Sequence, residues 1–366
     1  MENKQPIDCE KVVSQFVTEG ECFAYKSFGN GHINNSFIVY CRDEHDLVHR
    51  YVLQAINTYV FNDPEKLMDN IIKVTEFLRA KEPDNRGILH MLQTVDGKYC
   101  YHDEEGRYWR LYVYVNKALS LEQVEQPEDF FEAAYAFGKF QCDLSDFPVD
   151  TLHEIIPDFH NTEKRYDDFL KAVKDDKKGR AVEAQREIDF INGRKDFYGL
   201  LYKNNKEGNL PLRVTHNDTK LNNVLLDKYT RKALCVLDLD TIMPGFSVTD
   251  FGDAIRFGAS TAAEDEPDVD KVWLDFELFE KYVQGYLKGC GGKLTNEEIM
   301  LMPEGAKMMT LECGMRFLGD YLNGDVYFKT EYPKHNLVRC RAQLKLVEDM
   351  ERNFDRMKEI VSRYCK

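Results

Sequence analysis

Residues 214–227 read VTHNDTKLNNVLLD, with a histidine, an aspartate and a run of asparagines standing between two strand-like apolar segments where a plain turn would do. The second apolar segment, Val224 to Leu226, is followed by ALCVLDLD at residues 233–240, and the intervening KYTRK is short enough to close an antiparallel hairpin. Pairing Val224–Leu226 with Leu234–Leu237, the register a turn at 229–232 imposes, sets Asn223 beside Asp238 at the hairpin's open end. Asp218, five residues before Asn223, brings a third oxygen-bearing group to the same point. An amide oxygen and a carboxylate suit a hard cation such as Mg2+, which binds few protein groups and keeps positions for phosphate oxygens. The remaining carboxylate, Asp218, can then orient a hydroxyl and accept its proton. These are the parts phosphoryl transfer requires, because positioning and charge neutralisation carry most of its rate. Taken singly, HND also suits a helix-capping turn and LDLD an exposed strand end.

Upstream of this loop, CFAYKSF, SFIVY and YVLQAI between residues 22 and 56 are aromatic and β-branched and read as an antiparallel meander. Pro64 opens PEKLMDNIIKVTEFLRA, where Leu67, Ile71, Val74 and Leu78 form one helical stripe. YCYHDE and YWRLYVYV add two strand candidates ending near Asn116. Beyond about residue 120 the periodicity turns helical, as in EDFFEAAYAFGKFQCDL, and the hairpin is the exception. The expected organisation is a β-rich N-lobe over 1–116 with one long helix, and a mainly helical C-lobe over 117–366. The charged runs KDDKKGR and EDEPDVD are expected to be solvated helix faces or loops.

Composition narrows the partners. With 49 basic against 64 acidic residues in 366, the net charge of -15 disfavours nucleic acid and acidic membrane surfaces. The ten cysteines are scattered without a CxxC pair, and the start MENKQPIDCEKVV has neither a basic nor an apolar leader region, which points to reduced thiols in the cytoplasm. No apolar run approaches the ~18 residues of a membrane span, and no obligate protein partner is expected.

HNDTKLNN, an H-x-D-x-x-x-x-N pattern with VLDLD twenty residues after its aspartate, resembles the catalytic and metal-binding segments of the aminoglycoside phosphotransferase and choline kinase superfamily, relatives of protein kinases. GNGHINNSF, VLQAIN, LHEIIPDFHNTEKRY, DTIMPG, DFGDAIR and GDVYF, spread from about residue 28 to 330, are similar to the subgroup of N-acetylhexosamine 1-kinases. The resemblance implies an α+β, protein-kinase-like two-lobe fold with ATP as co-substrate. It implies Asp218 as base and Asn223 and Asp238 as metal ligands for Mg2+, with Asp240 supporting or joining them. The implied segments are a glycine loop at 28–36, a catalytic loop at 216–223, a metal motif at 236–240 and a sugar-binding segment at 312–328. DFG at Asp250–Gly252 is spelled like a magnesium motif but lies 32 residues past Asp218. Asp250 is therefore expected to be structural, anchoring the loop after MPGF through backbone amides.

In SFGNGHINNSF, Gly29 and Gly31 would let backbone amides approach phosphate oxygens, with Asn35 alongside. A strand rather than a helix follows, which excludes a Rossmann fingerprint, and GCGGKL fails as a Walker A loop because Leu294 stands where Ser or Thr is needed. Protein kinases carry a phosphate-binding lysine on their third strand; YVLQAIN offers Gln54 instead, and Lys220 is the candidate for part of the missing charge. By resemblance, His32, Phe257, Arg316 and Tyr327 contact the sugar. The implied activity is transfer of the ATP γ-phosphate to the anomeric 1-hydroxyl of N-acetylglucosamine or N-acetylgalactosamine. A kinase of another small alcohol (choline, homoserine, methylthioribose or an aminoglycoside) and a catalytically silent kinase-like binding protein remain the alternatives.

Overall fold

The computed structural model describes residues 8–28, 34–83 and 85–365. The chain divides into two compact units, Met1–Ala118 with Asp150–Ile155, and Leu119–Val149 with Ile156–Lys366. The return of Asp150–Ile155 to the first unit is marked by no composition shift. Its anchor is the buried Asn70, whose amide donates to the His153 carbonyl and accepts from the His153 backbone N–H, both at 2.8 Å.

The first unit runs α1 (Cys9–Val13), β1 (Glu21–Ser27), β2 (Asn35–Arg42), β3 (Val48–Ile56), α2 (Pro64–Lys81), β4 (Tyr101–His102) and β5 (Tyr108–Val113). Its five strands form one sheet in the order β1-β2-β3-β5-β4, antiparallel throughout. On one face Val39, Tyr51, Leu53, Trp109 and Leu111 pack with Val12, Val13 and Phe16 from the N-terminal segment. Alternation sends Ile38 and Val52 to the other face. Helix α2 starts where the Asp63 carboxylate accepts from Lys66 N–H at 3.1 Å and Pro64 fixes the first turn. It buries the expected stripe of Leu67, Ile71, Val74 and Leu78. All ten cysteines are free thiols.

The second unit contains β6 (Ala118–Ser120), α3 (Pro127–Asp143), α4 (Thr162–Asp175), α5 (Gln185–Asn192), α6 (Leu200–Lys206), β7 (Arg213–Thr215), β8 (Val224–Asp227), β9 (Ala233–Val236) and β10 (Met243–Gly245). Helices α7 (Ser247–Gly258), α8 (Phe276–Cys290), α9 (Asn296–Met300), α10 (Met302–Asn323), α11 (His335–Arg352) and α12 (Phe354–Ser362) follow. Strand β7 pairs with β10, and β6, β8 and β9 form a small sheet. The hairpin departs from the expected register. Val224 faces Val236 and Leu225 faces Cys235, but Leu226 faces Ala233, so Leu234 falls in a bulge. The Asp227 carboxylate gathers the N–H groups of Tyr229 and Thr230 into the turn, while Asp227 pairs with Lys232 through the backbone. Asn223 consequently sits opposite Leu237, whose N–H donates to its carbonyl at 2.8 Å, and Asp238 leaves the ribbon with φ 54°.

Helix α10 is buried along most of its 22 residues. It meets α7 where a Cβ on Gly252 would lie 2.3 Å from the Gly305 carbonyl oxygen, and one on Gly305 would lie 2.2 Å from that of Val248. The glycine of DFG thus permits helices to touch. The charged runs contain no buried residue, as expected, but three of their side chains have specific partners: Arg180 of KDDKKGR pairs with Asp325 at 2.6 Å, and in EDEPDVD Glu264 pairs with Arg256 and Asp265 with His335. A local run of charge cannot reveal that a buried partner waits elsewhere in the chain. Among the described residues no helix is long and apolar enough to cross a membrane.

Gly252→Ala should destabilise the protein by about 1–3 kcal/mol through overpacking at the α7–α10 crossing. Gly319→Ala, whose Cβ would meet nothing within 4 Å, should be stabilising by about 0.5–1 kcal/mol. Chemical denaturation of the two variants checks the contrast.

Candidate active site

The loop after β7 is held by side chains from α7. Asp250, in that helix's first turn, accepts the N–H groups of His216 and Asn217, each at 2.8 Å, and the Gln141 amide at 3.2 Å. One turn further, Asp253 accepts Thr219 N–H at 2.9 Å. Asp250 is thus an anchor through backbone amides, but the amides are those of residues 216 and 217 rather than of the loop after MPGF. Burial pushes its carboxyl above the usual carboxylate range, against the His216 and Asn217 amides and the His160 ring. Asn217 adopts φ 63° and ties itself to the Thr241 carbonyl at 2.8 Å. The Thr241 hydroxyl returns a bond to His216 O at 2.6 Å.

His216 is fully buried, with Phe137 edge-on at 5.3 Å. One ring nitrogen, Nε2, meets the Leu237 carbonyl at 2.7 Å, and Nδ1 meets Asp218 N–H at 3.3 Å. Because the carbonyl only accepts and the N–H only donates, the ring is the neutral Nε2–H tautomer. It ties the base of the loop to the residue before Asp238.

Asp218 is poised between two neighbours. Oδ1 lies 2.9 Å from Lys220 Nζ, and Oδ2 accepts from Asn223 Nδ2 at 3.0 Å; the same Nδ2 donates to Asp218 O at 2.8 Å. Burial pushes the carboxyl up, but the Lys220 ammonium, with the Asn223 amide, outweighs it and holds Asp218 below its ordinary range. The lysine is raised in turn, chiefly by Asp218, with Asp253 adding to the effect. Lys220 is therefore an ion-pair partner of Asp218. The hydrogen bonds orient the Asn223 amide nitrogen inward to Asp218, and its oxygen is a hard donor of the kind Mg2+ takes. Among the described residues no group of three or more His, Cys, Asp or Glu is arranged to hold a metal. A site of one amide oxygen, one carboxylate and nucleotide phosphates needs no such group, so the donor chemistry of Asn223 and Asp238 fits the ion. Asp240 is buried in the turn after Asp238.

Gly29, Gly31 and His32 lie outside the described residues. Asn35 opens β2 opposite Ala55, and it is the neighbouring Asn34 whose side chain binds Asn57 N–H at 2.9 Å. Gln54 sits in a cross-strand row, donating to the Ser36 hydroxyl and accepting from Arg110 Nε, both at 2.9 Å, so a buried guanidinium stands one strand away from the missing lysine. Phe257 lines a cavity of about 610 Å³ in the second unit together with Leu221, Arg256, Glu264, Leu278 and Gln343. Arg256 is buried and held by Asp253 and Glu264, each at 2.8 Å. Arg316 is in another cluster: its guanidinium lies 5.6 Å from the ring of Phe159, 6.0 Å from Tyr327 and 5.6 Å from Phe328.

The sequence reading missed Asp253 and also the pair His160–Glu312. His160 Nδ1 faces Glu312 at 2.8 Å and Nε2 faces the Asn217 carbonyl at 3.2 Å, while Thr162 donates to the other Glu312 oxygen at 2.7 Å. With acceptors at both nitrogens the ring must carry two protons. Although burial disfavours that charge, Glu312 raises the pKa above its ordinary value; Glu312, against its own burial, is lowered by His160. An i, i+3 spacing of carboxylates in DFGDAIR could have exposed Asp253; no local signal joins residues 160 and 312.

A mixed α+β fold, with one β-sheet unit and one helical unit carrying such a loop, defines a phosphotransferase of the protein-kinase-like class. The chain belongs to the APH phosphotransferase enzyme family, whose model matches residues 25–281. Its fold is similar to an aminoglycoside phosphotransferase from Alicyclobacillus acidocaldarius, with TM-score 0.65 and 12% identity over 99% of this chain and 98% of that one. It is also similar to a microcompartment-associated aminopropanol kinase (TM-score 0.59, 13% identity, 96% and 98% covered). A third likeness is an amicoumacin kinase in complex with AMP-PNP, Ca2+ and Ami (TM-score 0.57, 11% identity, 92% of each).

The His160–Glu312 pair gives a signed pH dependence. Glu312, lowered, contributes stability above its ordinary 4.5 that is lost as pH falls through its folded value; His160, raised, contributes stability below its ordinary 6.5 that is lost as pH rises through its folded value. Unfolding free energy measured across pH 4–10 should therefore decline on the alkaline side above pH 6.5, and His160→Gln should flatten that limb.

Proposed function

We propose that the protein transfers the γ-phosphate of ATP to the anomeric 1-hydroxyl of an N-acetylhexosamine, N-acetylglucosamine or N-acetylgalactosamine. The observation that carries this reading over other alcohols is Arg316. Its guanidinium has aromatic rings around it and neither a hydrogen bond nor an ion pair to the described residues. Arg165, whose guanidinium donates to the Phe159 carbonyl at 2.9 and 3.0 Å, is held below its ordinary value by burial and then by Arg316. Two neighbouring guanidiniums repel an ammonium and offer donors to hydroxyl and carbonyl oxygens, while Phe159 and Tyr327 can cover the C–H face of a pyranose. Phe257, and His32 from the glycine loop with Gly29, Gly31 and Asn35 cradling phosphate, complete the proposed contacts.

In the proposed mechanism Asp218 accepts the proton of the 1-hydroxyl, which is more acidic than other sugar hydroxyls because the ring oxygen withdraws electron density. The Lys220 ion pair keeps that carboxyl ionised at neutral pH, and the clamped loop fixes its direction. Asn223 and Asp238, backed by Asp240, would hold Mg2+, which when bound supplies charge neutralisation at the phosphates. The cytoplasm, where free thiols persist, is the proposed compartment.

A second reading has its own support. The cavity lining carries Glu122, Glu264 and Asp275 against one arginine already paired twice, which suits an amine-bearing alcohol. The likeness to an aminopropanol kinase points the same way. Incubation with ATP, Mg2+ and a panel of hexoses, amino alcohols and aminoglycosides, with NMR location of the new phosphate, separates the readings; phosphate on any position other than C1 of an N-acetylhexosamine refutes the first. Magnesium-dependent turnover of any acceptor eliminates a silent binding protein.

Asp218→Asn should lower kcat by about 10²–10⁴-fold while calorimetry shows ATP binding preserved. The acid limb of kcat/KM in the native enzyme should lie below the ordinary carboxylate value of 3.8. Lys220→Met removes the charge that opposes burial, so the limb should move to higher pH; an unmoved limb would exclude Asp218 as the titrating base.

A further inference from the structure

Two of the free thiols stand opposite one another in the sheet of the first unit: in the register of β1 against β2, Cys22 faces Cys41, beside the pair Glu21 and Arg42. A Cβ on Gly20 would lie 2.2 Å from the Arg42 carbonyl oxygen, so the chain enters β1 pressed against the end of β2. Directly opposed residues of an antiparallel pair have Cα atoms about 4.5–5.5 Å apart and side chains on one face, inside the range of about 4.4–6.8 Å that a disulfide spans. The two thiols are already hydrogen-bonded to one another.

Their surroundings differ. Cys41 is wholly buried in the core of the unit with Cys9, whereas Cys22 is partly exposed on the edge strand, immediately before the bulge that shifts the pairing between Cys22 and Ala24. The Cys41 S–H, donating to the Cys22 sulfur, holds the Cys22 thiol below its ordinary value against burial; the same bond, together with burial, pushes Cys41 up. Cys9, beside them, is pushed up to about 12, chiefly by burial. One sulfur of the pair thus reaches the surface and ionises more easily, with a protonated partner directly behind it.

We propose that Cys22 and Cys41 form a site of oxidative modification, at which a hydroperoxide closes a cross-strand disulfide between β1 and β2. The Cys22 thiolate attacks a peroxide oxygen and the O–O bond breaks, giving the Cys22 sulfenic acid and, from hydrogen peroxide, hydroxide that takes up the thiol proton as water. The Cys41 sulfur then attacks the Cys22 sulfur. The S–S bond forms as the S–O bond breaks, and the hydroxyl leaves with the Cys41 proton as a second water. Two thiols are oxidised for one peroxide reduced. The bridge ties one end of the hairpin whose other end leads into residues 28–36, and it does not depend on which acceptor the protein phosphorylates.

The test treats the full-length native protein with one equivalent of hydrogen peroxide, alkylates the remaining thiols after unfolding, and maps the peptides by mass. Cys22 and Cys41 should escape alkylation together, in a joined pair of peptides two hydrogens lighter than their sum, and dithiothreitol should restore both thiols. In Cys41→Ser, dimedone should trap a sulfenic acid on Cys22; in Cys22→Ser, Cys41 should remain alkylatable. Earlier loss of any other thiol, a bridge made by Cys9 instead, or a native protein in which Cys22 is oxidised to the sulfinic acid while Cys41 stays alkylatable, each overturns the proposal. Because the decisive measurement is made on the native protein, a variant that fails to fold does not rescue it.

Discussion

Two carboxylates one helical turn apart, Asp250 and Asp253, hold three backbone N–H groups of a single loop, those of residues 216, 217 and 219. Every other feature of the candidate site depends on this contact. Unpaired amides in so buried a loop would be costly, and a carboxylate there would be costlier still; each group satisfies the other. The result is that Asn217 can sit in the left-handed region and Asp218, the next residue, projects away from the clamp toward Lys220 and Asn223. The position of α7 is set in turn by its contact with α10 at Gly252 and Gly305. A missing Cβ in the helix therefore fixes the direction of a carboxylate on the loop.

Electrostatics around the loop alternate in sign rather than accumulating. Asp218 faces Lys220, and Asp253 faces Arg256, which faces Glu264; on the other side Glu312 faces His160, which binds the Asn217 carbonyl. Pairs buried to this degree contribute little net stability, because desolvation offsets most of the attraction, but removing one member strands the other. Their consequence is geometric. Each side chain has one arrangement in which its charge is met, and together they leave the loop a single conformation. The neutral His216, bonded at both nitrogens, adds the link to Leu237 that brings the chain into Asp238.

Much of this was legible in the sequence, and the limits follow from range. The H-x-D-x-x-x-x-N spacing, the ribbon after it and the stripe of α2 are local patterns, and local patterns survive in one dimension. The hairpin register did not, because the Asp227 turn and the bulge at Leu234 shift pairing by one residue without changing the apolar alternation by which strands are recognised. Asp250 of DFG anchors backbone amides, as its expected structural role requires, yet those amides could not be named, since they lie 33 and 34 residues upstream. Glu312 and His160 are separated by 152 residues, and no period or spacing connects them. Glu264 and Asp265 looked like solvated charge because their partners, Arg256 and His335, are buried and one of them is remote. The glycine loop over residues 29–33 lies outside the described residues, so its reading stands on sequence alone.

The acceptor question turns on local rather than global charge. A net charge of -15 spread over the surface gives a field that salt screens within about 10 Å. Such a field draws cations toward the molecule without choosing among those that arrive. Arg165, lowered by burial and by its neighbour Arg316, is a less solvated charge than those of the surface and is felt more strongly at short range. An ammonium entering there would meet two like charges, and the nearest carboxylate, Glu312, already has its oxygens bonded to His160 and Thr162. A neutral polyol brings oxygens that accept from the guanidinium and C–H faces that lie on the rings. An acidic protein can thus favour an uncharged acceptor, provided its two neighbouring guanidiniums stand where the acceptor binds.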